Sequence, residues 1–172
     1  MSRPPFAPFT ERDVDIVSAQ LGRPARDVIG IPARCVCGAP TVVATRPRLG
    51  NGTPFPTLYY LSHPAATASA SRLEASGIMA VWQAELAADT ALAEEYAAAH
   101  QQYLADRESI FAVAEVEGYS AGGMPTRVKC LHALLGHALA TGRGVNPLGD
   151  RTLDVGDWNP EVCACAPEQR GS

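Results

Sequence analysis

The stretch VIGIPARCVCGAPTVVAT, residues 28–45, is rich in β-branched residues and is divided near its middle by CGAP. β-Branched residues fit the pleated surface of a sheet, whereas a glycine and a proline close together favour a turn. The stretch therefore predicts two strands joined at residues 38–40. The segment TLYYL, residues 57–61, predicts a third strand after the turn region GNGTPFP. A small antiparallel sheet of about three strands is the simplest arrangement of these segments.

Helical patterns occupy most of the remaining chain. Thr10 is predicted to be the N-cap of a first short helix that ends at Gly22. Pro125 fits the first turn of a later helix, which contains VKCLHALLGH and ends at Gly142. Between these two helices, apolar residues at helical spacing predict three more, over residues 65–76, 78–89 and 90–113. The sequence thus predicts an α+β fold in which several helices pack against the sheet, with an irregular C-terminal segment.

The composition indicates one folded unit. A chain of 172 residues, 47% hydrophobic and 19% charged, can bury one sizeable core but is short for two domains. We therefore expect a single domain over residues 1–172, with disorder in residues 1–9 and 166–172. The net charge of −4 and the pI near 5.5 disfavour a protein that neutralises nucleic-acid phosphates or a lipid surface. We expect neither nucleic acid nor membrane among its partners.

The N-terminal sequence and the number of cysteines indicate the cellular compartment of the protein. MSRPPFAPFT has prolines where a signal peptide needs an apolar run, and the sequence lacks a stretch of about eighteen apolar residues. These features predict a cytoplasmic protein. An odd number of cysteines in a reducing compartment does not suit a disulfide framework. Metal binding, thiol chemistry or plain burial are the alternatives for Cys35, Cys37, Cys130, Cys163 and Cys165.

Two Cys-x-Cys pairs suggest a metal site. One pair, Cys35 and Cys37, lies at the predicted hairpin turn, and the other, Cys163 and Cys165, lies near the C-terminus. With His63 at the end of the third strand and Cys130 in the last predicted helix, these thiols supply enough soft ligands for a tetrahedral zinc site. An iron–sulfur cluster is the less favoured cofactor.

The ligand set that we favour joins the sheet, the last predicted helix and the C-terminal segment. It consists of Cys35, His63, Cys130 and Cys163, with Cys37 or Cys165 as exchangeable members. Four protein ligands leave no coordination position open, so such a site is structural or sensory. The competing interpretation is that Cys130 is a buried small side chain, that the histidines are satisfied by hydrogen bonds, and that the terminal pair lies in a frayed tail.

The segment SAGGMPTRVK, residues 120–129, is a second candidate site. Gly122 and Gly123 allow backbone amides to converge just before a predicted helix N-terminus, and Arg127 and Lys129 follow closely. This pattern predicts a site for a phosphate or a carboxylate. The alternative is an ordinary flexible entry into a helix with solvated basic side chains.

Cys130 and His132 define an alternative, catalytic hypothesis. Basic neighbours and a nearby helix start would lower the thiol pKa, and a histidine could act as its base. On a regular helix, however, the two residues point about 160° apart, and the spacing shows no acidic residue that would orient the histidine. The sequence therefore leaves open whether the protein is an enzyme.

Several motifs together resemble a known family: RCVCGAP, GTPFPTLYYL, SRLEASG, AGGMPTRVKCLHALLGHALA and GVNPLGD. They are similar to an actinobacterial family catalogued as a domain of unknown function, number 501, and the similarity extends over roughly residues 11–165. The resemblance implies a small cytoplasmic protein, often encoded near a septum formation initiator and an exopolyphosphatase. It supplies no catalytic residues.

The functional hypothesis combines these observations. The favoured function is a metal-binding protein, with zinc as the metal, whose role is structural, sensory or regulatory and is linked to cell division. The alternative is a thiol- or phosphate-handling enzyme that uses GGMPTRVKCLH. The predicted partner is an unidentified protein or a small anion, and the alanine-rich helices would also suit a homodimer interface.

Overall fold

The computed structural model describes residues 1–171 and contains one antiparallel sheet of three strands. The strands β1 (Val28–Arg34), β2 (Pro40–Thr45) and β3 (Tyr59–Leu61) lie in sequence order, so β2 is central. Every residue of β2 is buried, as expected for a middle strand that is covered on both faces. The sheet confirms the predicted α+β class and the predicted number of strands.

Residues 1–171 form six α-helices: α1 (Glu11–Leu21), α2 (Pro64–Ala75), α3 (Ile78–Ala88), α4 (Thr90–Ile110), α5 (Leu131–Thr141) and α6 (Pro147–Val155). Short 3-10 turns occupy Ala114–Val116 and Pro167–Gln169. The first helix begins as predicted, because Thr10 and Asp13 form a reciprocal capping box. Within residues 1–171, none of the helices has the length and apolar composition that crossing a lipid bilayer requires.

Two helix predictions were wrong, and both concern the C-terminal third. Helix α5 begins at Leu131 rather than near Pro125, because a side chain of another helix makes hydrogen bonds with the backbone of the preceding residues. Gln83 of α3 accepts a hydrogen bond from the amide of Val128 and donates one to the carbonyl of Thr126. Helix α6 was predicted to be irregular chain, although Asn146 caps it and Pro147 occupies its first turn.

Helix α5 is the centre of the packing. It contacts all three strands as well as α2 and α6. The apolar residues Leu131, Leu134 and Leu135 of this helix are buried, and so is the polar His137. The His137 ring is hydrogen bonded to Gln102 and Asn146, so the helix is buried on nearly every side.

The N-terminal residues lie against this core. The amide of Ser2 donates to the carbonyl of Pro32, Arg3 forms an ion pair with Asp106 at 2.8 Å, and Phe6 packs edge-on against Tyr59. At the other end, Arg12 donates to the carbonyl of Arg170. Disorder of residues 1–9 and 166–172, like the single-domain assignment, stays a prediction, and Ser172 lies outside the described residues.

The close approach of α5 and α6 can be tested by Gly149→Ala. The added Cβ would meet the carbonyl oxygen of Leu134 and would lie 2.7 Å from the Cβ of Ala138. We expect the free energy of unfolding to fall by about 1–3 kcal/mol, measured by urea denaturation. In the control Gly50→Ala, the nearest atom is a carboxylate oxygen of Asp27 at 3.3 Å, and the loss should be smaller. Equal stability of Gly149→Ala and the parent protein would contradict this packing.

Candidate metal centre

The turn between β1 and β2 carries the first pair of thiols. The amide of Cys35 donates to the carbonyl of Ala39, and the amide of Gly38 donates to the carbonyl of Cys35, each at 2.8 Å. Gly38 has φ 84°, a left-handed conformation that glycine adopts without strain. Arg34 also donates to the carbonyl of Gly38 and binds the carboxylate of Asp13 in α1. These bonds fix the turn that presents Cys35 and Cys37.

The second pair of thiols reaches this turn from the C-terminal segment. After α6, residues 156–166 run back to the hairpin, where the amide of Val36 donates to the carbonyl of Pro160 at 2.9 Å. The four Sγ atoms of Cys35, Cys37, Cys163 and Cys165 all lie within 4.8 Å of one another. Two segments at opposite ends of the sequence therefore converge on one point.

The spacing of the thiols fits a tetrahedral metal site. A zinc ion with Zn–S bonds of about 2.3 Å has S···S edges of about 3.8 Å. The Sγ atoms of Cys37 and Cys165 lie 3.4 Å apart, and all five cysteines are free thiols. Cys35 and Cys165 are buried, whereas Cys37 and Cys163 are half-buried. This four-cysteine cluster could hold one metal ion.

The thiols of the cluster differ in acidity. Burial raises the pKa of Cys35, and burial together with the neighbouring thiols raises the pKa of Cys165. Burial also opposes ionisation of Cys37, but the Ala39 amide and the adjacent thiols outweigh it and lower the pKa of Cys37 to about 7. A metal ion that binds here must displace the protons of the high-pKa thiols, so its affinity should rise with pH.

His63 lies beside the cluster. It is the N-cap residue of α2, and its Nδ1 accepts a hydrogen bond from the amide of Ala66 at 3.4 Å. The proton of the neutral ring is therefore assigned to Nε2, which lies 3.1 Å from the Sγ of Cys165. Burial lowers the pKa of His63, and Trp158 packs against the ring with centroids 5.2 Å apart. In this tautomer, His63 donates a hydrogen bond to Cys165.

Cys130 is not part of the four-cysteine cluster. The predicted combination of Cys35, His63, Cys130 and Cys163 is therefore not brought together as one group. Cys130 is the N-cap residue of α5 and lies beside Glu74 of α2 instead. Cys37 and Cys165, the exchangeable members of the predicted set, take the places of His63 and Cys130 in the cluster.

Cys130 belongs instead to a second group, with Glu74 and His132, whose ligand atoms also lie within 4.8 Å of one another. The Nδ1 of His132 lies 3.0 Å from the Oε1 of Glu74, and its Nε2 lies 3.1 Å from the hydroxyl of Ser71. The prediction that Cys130 and His132 point apart was wrong, because Cys130 precedes the helix. Sequence reasoning missed Ser71 and Glu74, whose spacing of three places them on one face of α2.

The residues predicted to bind an anion form a closed turn. The carbonyl of Gly122 accepts hydrogen bonds from the amides of Lys129 and Cys130, and the carbonyl of Gly123 accepts one from Arg127. These amides are therefore engaged within the turn. The helix N-terminus expected beside the glycines lies farther along the chain, at Leu131. Anion binding at Gly122, Gly123, Arg127 and Lys129 stays a prediction.

Comparison with known protein families identifies the family of this chain. Residues 31–154 match the family described as "Protein of unknown function (DUF501)", and the chain belongs to this family. No curated protein and no solved structure matches the chain significantly. The matched segment contains the first thiol pair, His63 and the Glu74–Cys130–His132 group. Cys163 and Cys165 follow it, so family membership covers only half of the four-cysteine cluster.

The substitution His63→Asn tests whether the hydrogen bond from His63 to Cys165 supports metal binding. Asparagine can still cap α2, but it removes Nε2, the atom that faces Cys165. Loss of a hydrogen bond to a metal ligand typically weakens metal binding by about 10–100-fold, which competition with a chromophoric chelator measures. His132→Asn serves as the matched control and should leave the affinity unchanged. An affinity of His63→Asn equal to that of the parent protein would rule out this role.

Proposed function

We propose that the protein binds one zinc ion through Cys35, Cys37, Cys163 and Cys165, and that the centre has a structural or regulatory role. The observation that supports this proposal is the convergence of four Sγ atoms within 4.8 Å, from two segments far apart in the sequence. Zinc favours four thiolates in a tetrahedral arrangement. A site of four protein ligands leaves no position for substrate, so the proposed centre is not catalytic.

The surroundings of the cluster explain what a metal ion would contribute. Cys35, Ala39 and Cys165 form a small buried cluster of their own, separate from the main hydrophobic core. Beyond α6, Trp158 is the one large apolar side chain of the C-terminal segment that is buried, within the described residues. The four thiols and the hydrogen bond from the Val36 amide to the Pro160 carbonyl join the segment to the hairpin. Zinc binding would therefore supply a large part of the free energy that folds residues 156–166.

The same proposal includes a cytoplasmic location. Five cysteines, an odd number, suit a reducing compartment better than a disulfide framework. The link to cell division rests on the family resemblance alone. A protein partner is also part of the proposal, and Val36 and Val162, both 66% exposed beside the metal-binding cysteines, are apolar residues that it could contact.

Metal analysis tests this proposal. Protein purified without chelators should contain about one zinc ion per chain, and Cys165→Ser should lose the metal and melt at a lower temperature. Cys130→Ser, which removes a thiol outside the cluster, is the matched control and should keep both the zinc and the melting temperature. Replacement of zinc by Co²⁺ should give the intense sulfur-to-cobalt charge-transfer bands of a tetrathiolate site.

Two results would contradict the proposal. Metal-free protein with the same melting temperature before and after zinc addition would show that the thiols are merely buried. Loss of zinc from Cys130→Ser as well as from Cys165→Ser would show that the ligand set is different.

A further inference from the structure

The second group of ionisable side chains lies where α2 meets the start of α5. It contains a thiol, an imidazole and a carboxylate, from Cys130, His132 and Glu74. The side chains of His132 and Glu74 are 27% and 26% exposed, and Cys130 is half-buried. Small molecules in solution can therefore reach these side chains. The packing of α2 against α5 holds the side chains in place.

The carboxylate of Glu74 orients the imidazole. Its Oε1 accepts a hydrogen bond of 2.7 Å from the amide of Leu131 and also lies 3.0 Å from the Nδ1 of His132. The hydroxyl of Ser71 lies 3.1 Å from the other ring nitrogen. Both ring nitrogens therefore have a polar partner, and the carboxylate beside one of them favours the protonated ring.

The position of Cys130 favours its thiolate. It occupies the N-cap position of α5, an eleven-residue helix whose N-terminal end favours negative charge. A ring nitrogen of His132 lies within 4.8 Å of the Cys130 sulfur, and this imidazole lowers the pKa of Cys130. Cys130 and Glu74 in turn raise the pKa of His132 to about 9. The thiol and the imidazole thus favour each other's charged forms.

We propose that Cys130 is a reactive thiolate, paired with His132 and Glu74, that is oxidised by hydroperoxides. The thiolate sulfur attacks one oxygen of the peroxide, so that an S–O bond forms as the O–O bond breaks. Sulfur loses two electrons and becomes a sulfenic acid, while the peroxide is reduced to hydroxide or alkoxide. The His132 imidazolium gives its proton to this leaving group, which departs as water or an alcohol.

Hydroperoxides suit this site better than a large substrate. Two surface cavities of the molecule, one lined by α1 and β2 residues and one by the C-terminal segment, have volumes of about 620 and 1090 Å³. Neither is lined by Cys130, Glu74 or His132. A small oxidant needs no such cavity, and a partly exposed thiolate with an adjacent proton donor meets its chemical requirements.

The first test measures the reactivity of each thiol in the zinc-loaded full-length protein. Iodoacetamide alkylation, followed by peptide mapping, should label Cys130 with a pH midpoint below the ordinary thiol value of about 8.5. His132→Gln should raise that midpoint, whereas Lys129→Gln, which removes an exposed neighbouring charge, should not. Glu74→Gln should lower the pKa of His132 toward about 6.5, which NMR titration of the ring measures without relying on reactivity.

The second test uses the oxidant. Hydrogen peroxide followed by dimedone should modify Cys130 at least ten times faster in the parent protein than in His132→Gln. An alkylation midpoint of Cys130 at or above about 8.5, or equal peroxide rates in the two proteins, would overturn the proposal. Protection of Cys130 that a chelator removes would also overturn it, because it would show that the group is a metal site.

Discussion

The packing of α5 is the constraint on which the rest of the molecule depends. A Cβ at Gly136 would lie 2.9 Å from the carbonyl oxygen of Tyr59, and a Cβ at Gly149 would collide with the backbone of α5. The sheet and α6 therefore approach α5 as closely as backbone allows. Because α6 is held there, the chain that follows it is directed back toward the hairpin. Because α5 begins at Leu131, Cys130 lies at its N-terminus, next to α2. Both thiol sites follow from the position of one helix.

The two sites hold their thiols under opposite electrostatic conditions. In the four-cysteine cluster, burial and mutual proximity raise the pKa of Cys35 and Cys165, so full ionisation needs an external cation. Cys130 instead has an imidazole beside it whose pKa the thiol itself and Glu74 raise to about 9. The first arrangement suits metal binding with all positions filled, and the second suits a thiolate open to small electrophiles. One short chain thus combines a closed thiol centre with a reactive thiol.

The sequence predicts much of the fold and the cysteines of the metal site, but it does not predict the surroundings of Cys130. The β-branched residues around CGAP and the capping signals at Thr10 predict strands and helices correctly, because those signals are local. The start of α5 could not be predicted, since it depends on Gln83 binding the backbone of residues 126–128 from another helix. The error carried over to Cys130, which a helix over residues 125–142 would hold away from His132. Glu74 could not be found from the sequence either, because it lies next to His132 only when α2 and α5 pack together.

The central claim is that four thiols at opposite ends of the sequence share one metal ion while His63 remains outside the coordination sphere. X-ray absorption spectroscopy at the zinc edge of the purified protein tests this most directly. The account predicts four sulfur scatterers at about 2.3 Å and no imidazole at about 2.0–2.1 Å. A nitrogen ligand in place of one sulfur would contradict the ligand set, and zinc surrounded mainly by oxygen would contradict the existence of the centre.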